Sequence, residues 1–214
     1  MNRRLVSLHG AWPLALALLP LVLLWPALRH GVESRMSLHM LVEFPVLFIA
    51  GGSASRMCLR RVRARRWLRG QRGFDWHGWT GATLTSGVAL VWMLPSALDA
   101  SLIWPNVVAA KFASWWLAGW LLADGWRRMD TEVRLFFVGN LVWMLATVGL
   151  LYVDAPVRLC ANYLQDDQRR TGIGLVLSAL ALGALVVGAG IRRPAAGNSK
   201  RFEDGSTPRS HHAM

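Results

Sequence analysis

The sequence predicts an all-α, polytopic integral membrane protein built as a bundle of six transmembrane helices. Three observations carry that expectation. Of 214 residues, 54% are hydrophobic and only 17% charged, whereas a soluble domain carries about 25% charge. Several stretches approach the roughly 20 apolar residues that span a bilayer. Finally, eight arginines (Arg56, Arg60, Arg61, Arg63, Arg65, Arg66, Arg69 and Arg72) stand between the apolar runs 41–50 and 81–98. Short loops rich in Lys and Arg stay on the cytoplasmic side, so such a block between spans is a topology signal.

The spans follow in order at about 11–29, 37–55, 77–98, 105–125, 133–153 and 172–191, together forming one membrane domain over 1–191. The first is preceded by Asn2-Arg3-Arg4 and resembles a secretory signal. It has no clear small-x-small cleavage site and a long apolar part, so an uncleaved span is expected. The second is the least apolar, carrying His39 and Glu43. Pro13, Pro20, Pro26, Pro45 and Pro95 sit in or beside spans, where neighbouring helices can re-satisfy freed backbone groups. Gly183, Gly188 and Gly190 in the last span are expected to permit close helix packing. The tail 192–214, rich in Gly, Ser, Pro and charge, is expected to be disordered.

The distribution of charge orients this drawing. With the N-terminus inside, cytoplasmic segments hold eighteen of the 24 Lys and Arg residues and outer segments five; Lys111 lies within a span. That bias predicts N- and C-termini in the cytoplasm of a bacterial-type inner membrane. Trp12, Trp25, Trp76, Trp79, Trp104 and Trp126 fall near span ends, as an aromatic belt requires. The net charge of +12 then serves topology and attraction to anionic lipid. The bilayer is the expected partner, and nucleic acid is not.

Polar residues collect on the expected outer side. His39 and Glu43 are four apart and share a helix face. Such a pair binds a metal, relays a proton, or is a helix-end histidine in headgroup water beside a paired carboxylate. Met36 and Met40 stand on nearly the same face, and thioethers favour Cu(I). Glu43 and Lys111 lie at similar depth on different spans. Buried charges in a membrane pair or face a cavity, so an ion pair between spans two and four is expected, either as a clamp or as a pair that responds to a ligand. Asp99 ends span three. Cys160 stands in the loop before span six, either as a soft ligand or as an inert buried thiol. Asp166 and Asp167 open span six, where a helix N-terminus favours acids.

No enzyme motif is present: there is no Gly-x-Ser-x-Gly elbow, His-Glu-x-x-His pair or phosphate-binding glycine loop. The chain is not expected to be an enzyme. Two cysteines, Cys58 and Cys160, form no disulfide framework.

Three segments resemble the CtaG-type cytochrome c oxidase assembly factors, which are polytopic proteins linked to copper-site assembly. His39-Met40-Leu41-Val42-Glu43 is similar to the family's His-Met helix opening. Trp92-Met93-Leu94-Pro95-Ser96-Ala97-Leu98-Asp99-Ala100 is similar to its Trp-x-x-Pro-x-x-x-Asp-Ala turn. Tyr152 followed by Asp167-Gln168 and Gly172 is similar to its Tyr, then Asp-Gln-x-x-Gly, entering a late span. Together they cover roughly residues 37–180. The resemblance implies an oxidase-assembly role on the outer face, with oxidase subunits or a copper chaperone as partners and copper as the metal. Candidate metal residues are His39, Met40, Glu43 and Cys160; Asp99, Lys111, Asp167 and Gln168 are further functional candidates. The chain departs from the family pattern at Glu43, and at Val107, Val108 and Lys111, where histidines are expected. It is also one span short. Two other classes stand beside this one: a small-solute or ion transporter using Glu43, Lys111 and Asn140, and a ligand-free membrane scaffold subunit.

Overall fold

Proline and glycine punctuate the chain into eight helical segments in the computed structural model, which describes residues 15–60 and 78–191. Helix α1 (Ala15–Leu23) is followed by α2 (Pro26–Glu33), turned 85° from it. Helix α3 runs as a first turn (Met36–Leu38), a π turn (His39–Glu43) and a straight stretch (Phe44–Arg60). Helix α4 (Trp79–Trp92) gives way to α5 (Pro95–Ile103) across a 76° bend. Then come α6 (Pro105–Gly125), α7 (Thr131–Asp154) and α8 (Gln165–Ile191). Most of the arginine block, Trp12, Pro13, Trp76 and the tail lie outside the described residues.

The described chain is helical, with no strand. Three helices are long and apolar enough to cross a membrane: Met36–Met57, Thr131–Asp154 and Gln165–Gly188. Counting each bent pair as one span gives five. The sixfold drawing is therefore reached only in part. The straight spans expected at 11–29 and 77–98 are broken, and in both cases a proline occupies the first position of the following helix. Proline's fixed φ and missing N–H suit that place. Helix α6 has 21 residues, but Lys111, Trp115, Trp116 and Trp120 lower its hydropathy. The π turn in α3 precedes Pro45. Proline there removes the N–H that would bond the Leu41 carbonyl, and its ring crowds that carbonyl.

Helix α3 packs along α6, α4 along α6, and α7 along α8. Glycine sets how closely. A Cβ on Gly51 would strike the Trp116 carbonyl, and one on Gly119 the Phe48 carbonyl. Between α7 and α8, a Cβ on Gly172 would stand 2.6 Å from the Gly149 carbonyl oxygen, and one on Gly149 2.8 Å from that of Gly172. Of the glycines singled out in sequence, Gly183 and Gly188 do not do this. Gly183 meets only Val142, at 3.8 Å, and Gly188 meets nothing. The main core runs from Met36, Leu47, Trp92 and Leu98 to Phe112, Trp115 and Tyr152. A smaller one, around Leu122, Met129 and Phe137, lies at the other end. Outward faces remain apolar: Phe136 is 69%, Trp143 74% and Leu185 70% exposed. Helices so apolar on their open faces belong in lipid.

Candidate functional site

The start of α3, the end of α4, the start of α6, the end of α7 and the start of α8 share one end of the bundle. The crosswise helices α2 and α5 lie at the same end. Helix α6 projects Lys111 into it with no exposed surface. Its Nζ is 2.7 Å from Glu33 Oε1, 2.8 Å from Glu43 Oε1 and 2.9 Å from His39 Nε2. An ammonium has three donors, and three acceptors surround this one. The expected pairing of Glu43 with Lys111 is present, in a larger group.

The geometry assigns the protons. His39 Nε2 accepts from Lys111, so the imidazole is neutral with its proton on Nδ1, which lies 2.7 Å from the Tyr163 hydroxyl; this is a network assignment. Both ring nitrogens are thus engaged. The Phe44 ring meets His39 edge-on at 5.2 Å and stacks on Trp115 at 5.0 Å. Glu33 Oε2 also forms an ion pair with Arg29, whose Nε stands 3.3 Å away. Two cations and two carboxylates make the group neutral. Neither Glu43 oxygen meets hydrogen-bond geometry among the described residues: Oε1 holds Lys111 as an ion-pair contact, and Oε2 lies 3.6 Å from His39 Nε2. In the loop 155–164, burial first, then nearby acidic groups, push the Tyr163 phenol well above its usual range, so it stays protonated. Burial and then Asp99 push the Cys160 thiol up to about 12.

Glu33 was not singled out in sequence, because it stands in what reads as a short connection between spans. Its one signal is the Arg29–Glu33 spacing, i to i+4, following Pro26. Glu33, His39 and Glu43 each offer a ligand atom, all within 4.8 Å of one another. Cys160 does not belong to this group. It is buried in the apolar core, as is Met40. Two carboxylate oxygens and one imidazole form a hard set, unlike the soft donors that Cu(I) prefers, and the Lys111 ammonium stands among them. The set does not fit a resident Cu(I) ion.

The remaining candidates act as pins. Asp167 accepts from Ser37 Oγ at 2.7 Å and from Ser37 N at 3.3 Å, tying α8 to the first turn of α3. Gln168 Oε1 accepts from Leu159 N at 2.8 Å, and its Nε2 donates to the Tyr152 carbonyl at 3.3 Å. Tyr152 donates to the Met93 carbonyl at 2.8 Å. That carbonyl lies just past the end of α4, where a helix leaves acceptors unpaired. Asp99 on α5 accepts from Ala161 N at 2.9 Å and Asn162 Nδ2 at 3.0 Å. Asn140 is exposed, touches Ser86 at 3.4 Å, and does not join the Lys111 group.

No family model, no curated protein and no solved structure matches the chain.

Proposed function

We propose that this protein is a membrane-embedded assembly factor for cytochrome c oxidase, acting at the outer face without a resident copper ion. The observation that carries the reading is convergence. His39, Met93, Asp99, Tyr152, Asp167 and Gln168, drawn from all three segments of the resemblance, meet at one end of the bundle and bond that end together. The Lys111 ammonium fills the centre that a metal would need, so the assembly role rests on the surface this end presents. The reading keeps six crossings, with α6 as the fourth; at 1.5 Å per residue its 21 residues reach about 31 Å. It puts the arginine-bearing end in the cytoplasm and the Lys111 group on the outer side, in a bacterial inner membrane.

A transport reading has less support. The buried charges of Glu43 and Lys111 do not continue to Asn140, so no polar track crosses the described bundle. Deleting the gene and measuring oxidase activity and oxidase subunit content in membranes tests the assembly reading. Loss of assembled oxidase, restored by the wild-type chain and unaffected by added copper, is the expected result. Normal oxidase in the deletion strain would leave the ligand-free scaffold as the better reading.

A further inference from the structure

The end of the bundle opposite the Lys111 group holds a groove of about 620 Å³ between α3 and α6. Its origin is in the glycines. Gly51 and Gly119 draw the two helices into backbone contact, and the adjacent Gly52 then contributes no side chain. A Cβ at Gly52 would meet only the Ala123 methyl and the Gly119 carbonyl oxygen, each at 3.5 Å, which is ordinary contact. The trough so left has apolar walls from Ile49, Phe48 and Leu122. Its mouth carries Arg56 and Arg127.

Neither of those arginines has an ion-pair partner among the described residues. Of the two acids three positions from Arg127, Asp124 is held by Arg128 at 2.9 Å, and Asp130 forms no ion pair with either arginine among the described residues. Two guanidiniums above a partly apolar trough match a phosphate head carrying acyl chains. Guanidinium suits phosphate through paired N–H donors, and basic pockets between membrane helices select anionic headgroups. The volume falls within the range of small-molecule sites, about 300–1,000 Å³.

We propose that this groove is a binding site for an anionic phospholipid, its phosphate held between Arg56 and Arg127 and an acyl chain lying over Gly52 against Ile49 and Leu122. The site rests on the membrane character of the fold and is independent of the oxidase reading. The full-length chain in neutral detergent, titrated with phosphatidylglycerol or phosphatidylcholine and read by native mass spectrometry, tests it. Phosphatidylglycerol is expected to bind and phosphatidylcholine to bind weakly. Arg56→Gln with Arg127→Gln should weaken phosphatidylglycerol by at least about tenfold. Ala123→Leu, which fills the trough and keeps both charges, should weaken it as well. Arg169→Gln with Arg170→Gln, at the other end, should leave it unchanged. The proposal is overturned if either groove variant binds like the wild type, or if the distant pair lowers binding equally, which would mark a general charge effect. Competition by glycerol phosphate at the lipid's own concentration would reduce the site to a phosphate site and overturn the lipid assignment. No binding of either lipid would overturn it too.

Discussion

Replacing Lys111 by Met isolates what the buried group is worth. Methionine keeps most of the apolar stem and removes the charge. Glu33, Glu43 and His39 then lose their shared donor in a place with almost no water: they are 5%, 2% and 0% exposed. Removing one partner of a buried ion pair costs about 3–5 kcal/mol, because the other charge is left uncompensated. The two carboxylates are not equivalent. Glu33 retains Arg29 at 3.3 Å; Glu43 retains only the neutral His39, at 3.6 Å. Lys111→Met should therefore lose about 3–5 kcal/mol. Adding Glu43→Gln should recover a larger part of that loss than adding Glu33→Gln. Unfolding in mixed micelles followed by tryptophan fluorescence measures all four proteins. A Lys111→Met variant within about 1 kcal/mol of wild type would refute the reasoning, since that is the range of an exposed pair. Equal rescue by the two glutamine substitutions would refute the assignment of Glu43 as the dependent carboxylate.

Three other outcomes follow from particular contacts. Gly51→Ala should cost about 1–3 kcal/mol or more through forced separation of α3 and α6, while Gly188→Ala, with open space around it, should be neutral or gain about 0.5–1 kcal/mol from helix propensity; thermal unfolding in detergent compares them. Cys160 should resist thiol reagents at neutral pH in the folded protein and react after unfolding. Its folded pKa of about 12 lies above the ordinary 9.0, so its contribution to stability is full below pH 9 and fades as pH rises from 9 toward 12; Cys160→Ala should flatten stability across that window, and an unchanged alkaline profile would rule the contribution out. In a background without native cysteines, a probe at Asn162 should be labelled in intact cells and one at Gln71 should not; the reverse would invert the orientation.

Some of this architecture was legible in the chain. Helical membrane character follows from composition and run length, because the bilayer imposes a fixed apolar length on any segment that crosses it. The fourth span was drawn from 105, where Pro105 opens α6, but Pro26 and Pro95, read as lying in or beside spans, each open a new helix instead. Glu43 and Lys111 could be paired in advance, since two opposite charges at equal depth have few alternatives to each other. What the sequence left open was decided by packing. Hydropathy belongs to a segment and does not show a bend within it, so the spans drawn at 11–29 and 77–98 did not show the bends of 85° and 76° before Pro26 and Pro95. The same folding-over of α2 brings Glu33 to Lys111 across 78 positions, and no local pattern announces a partner at that separation. The close contacts fell on Gly51, Gly119, Gly149 and Gly172, rather than on Gly183 and Gly188, because a glycine matters only where another backbone arrives. The arrival of one helix at another is a property of the three-dimensional fold, where the backbones of α3 and α6 meet and a lysine takes the centre of an acidic group.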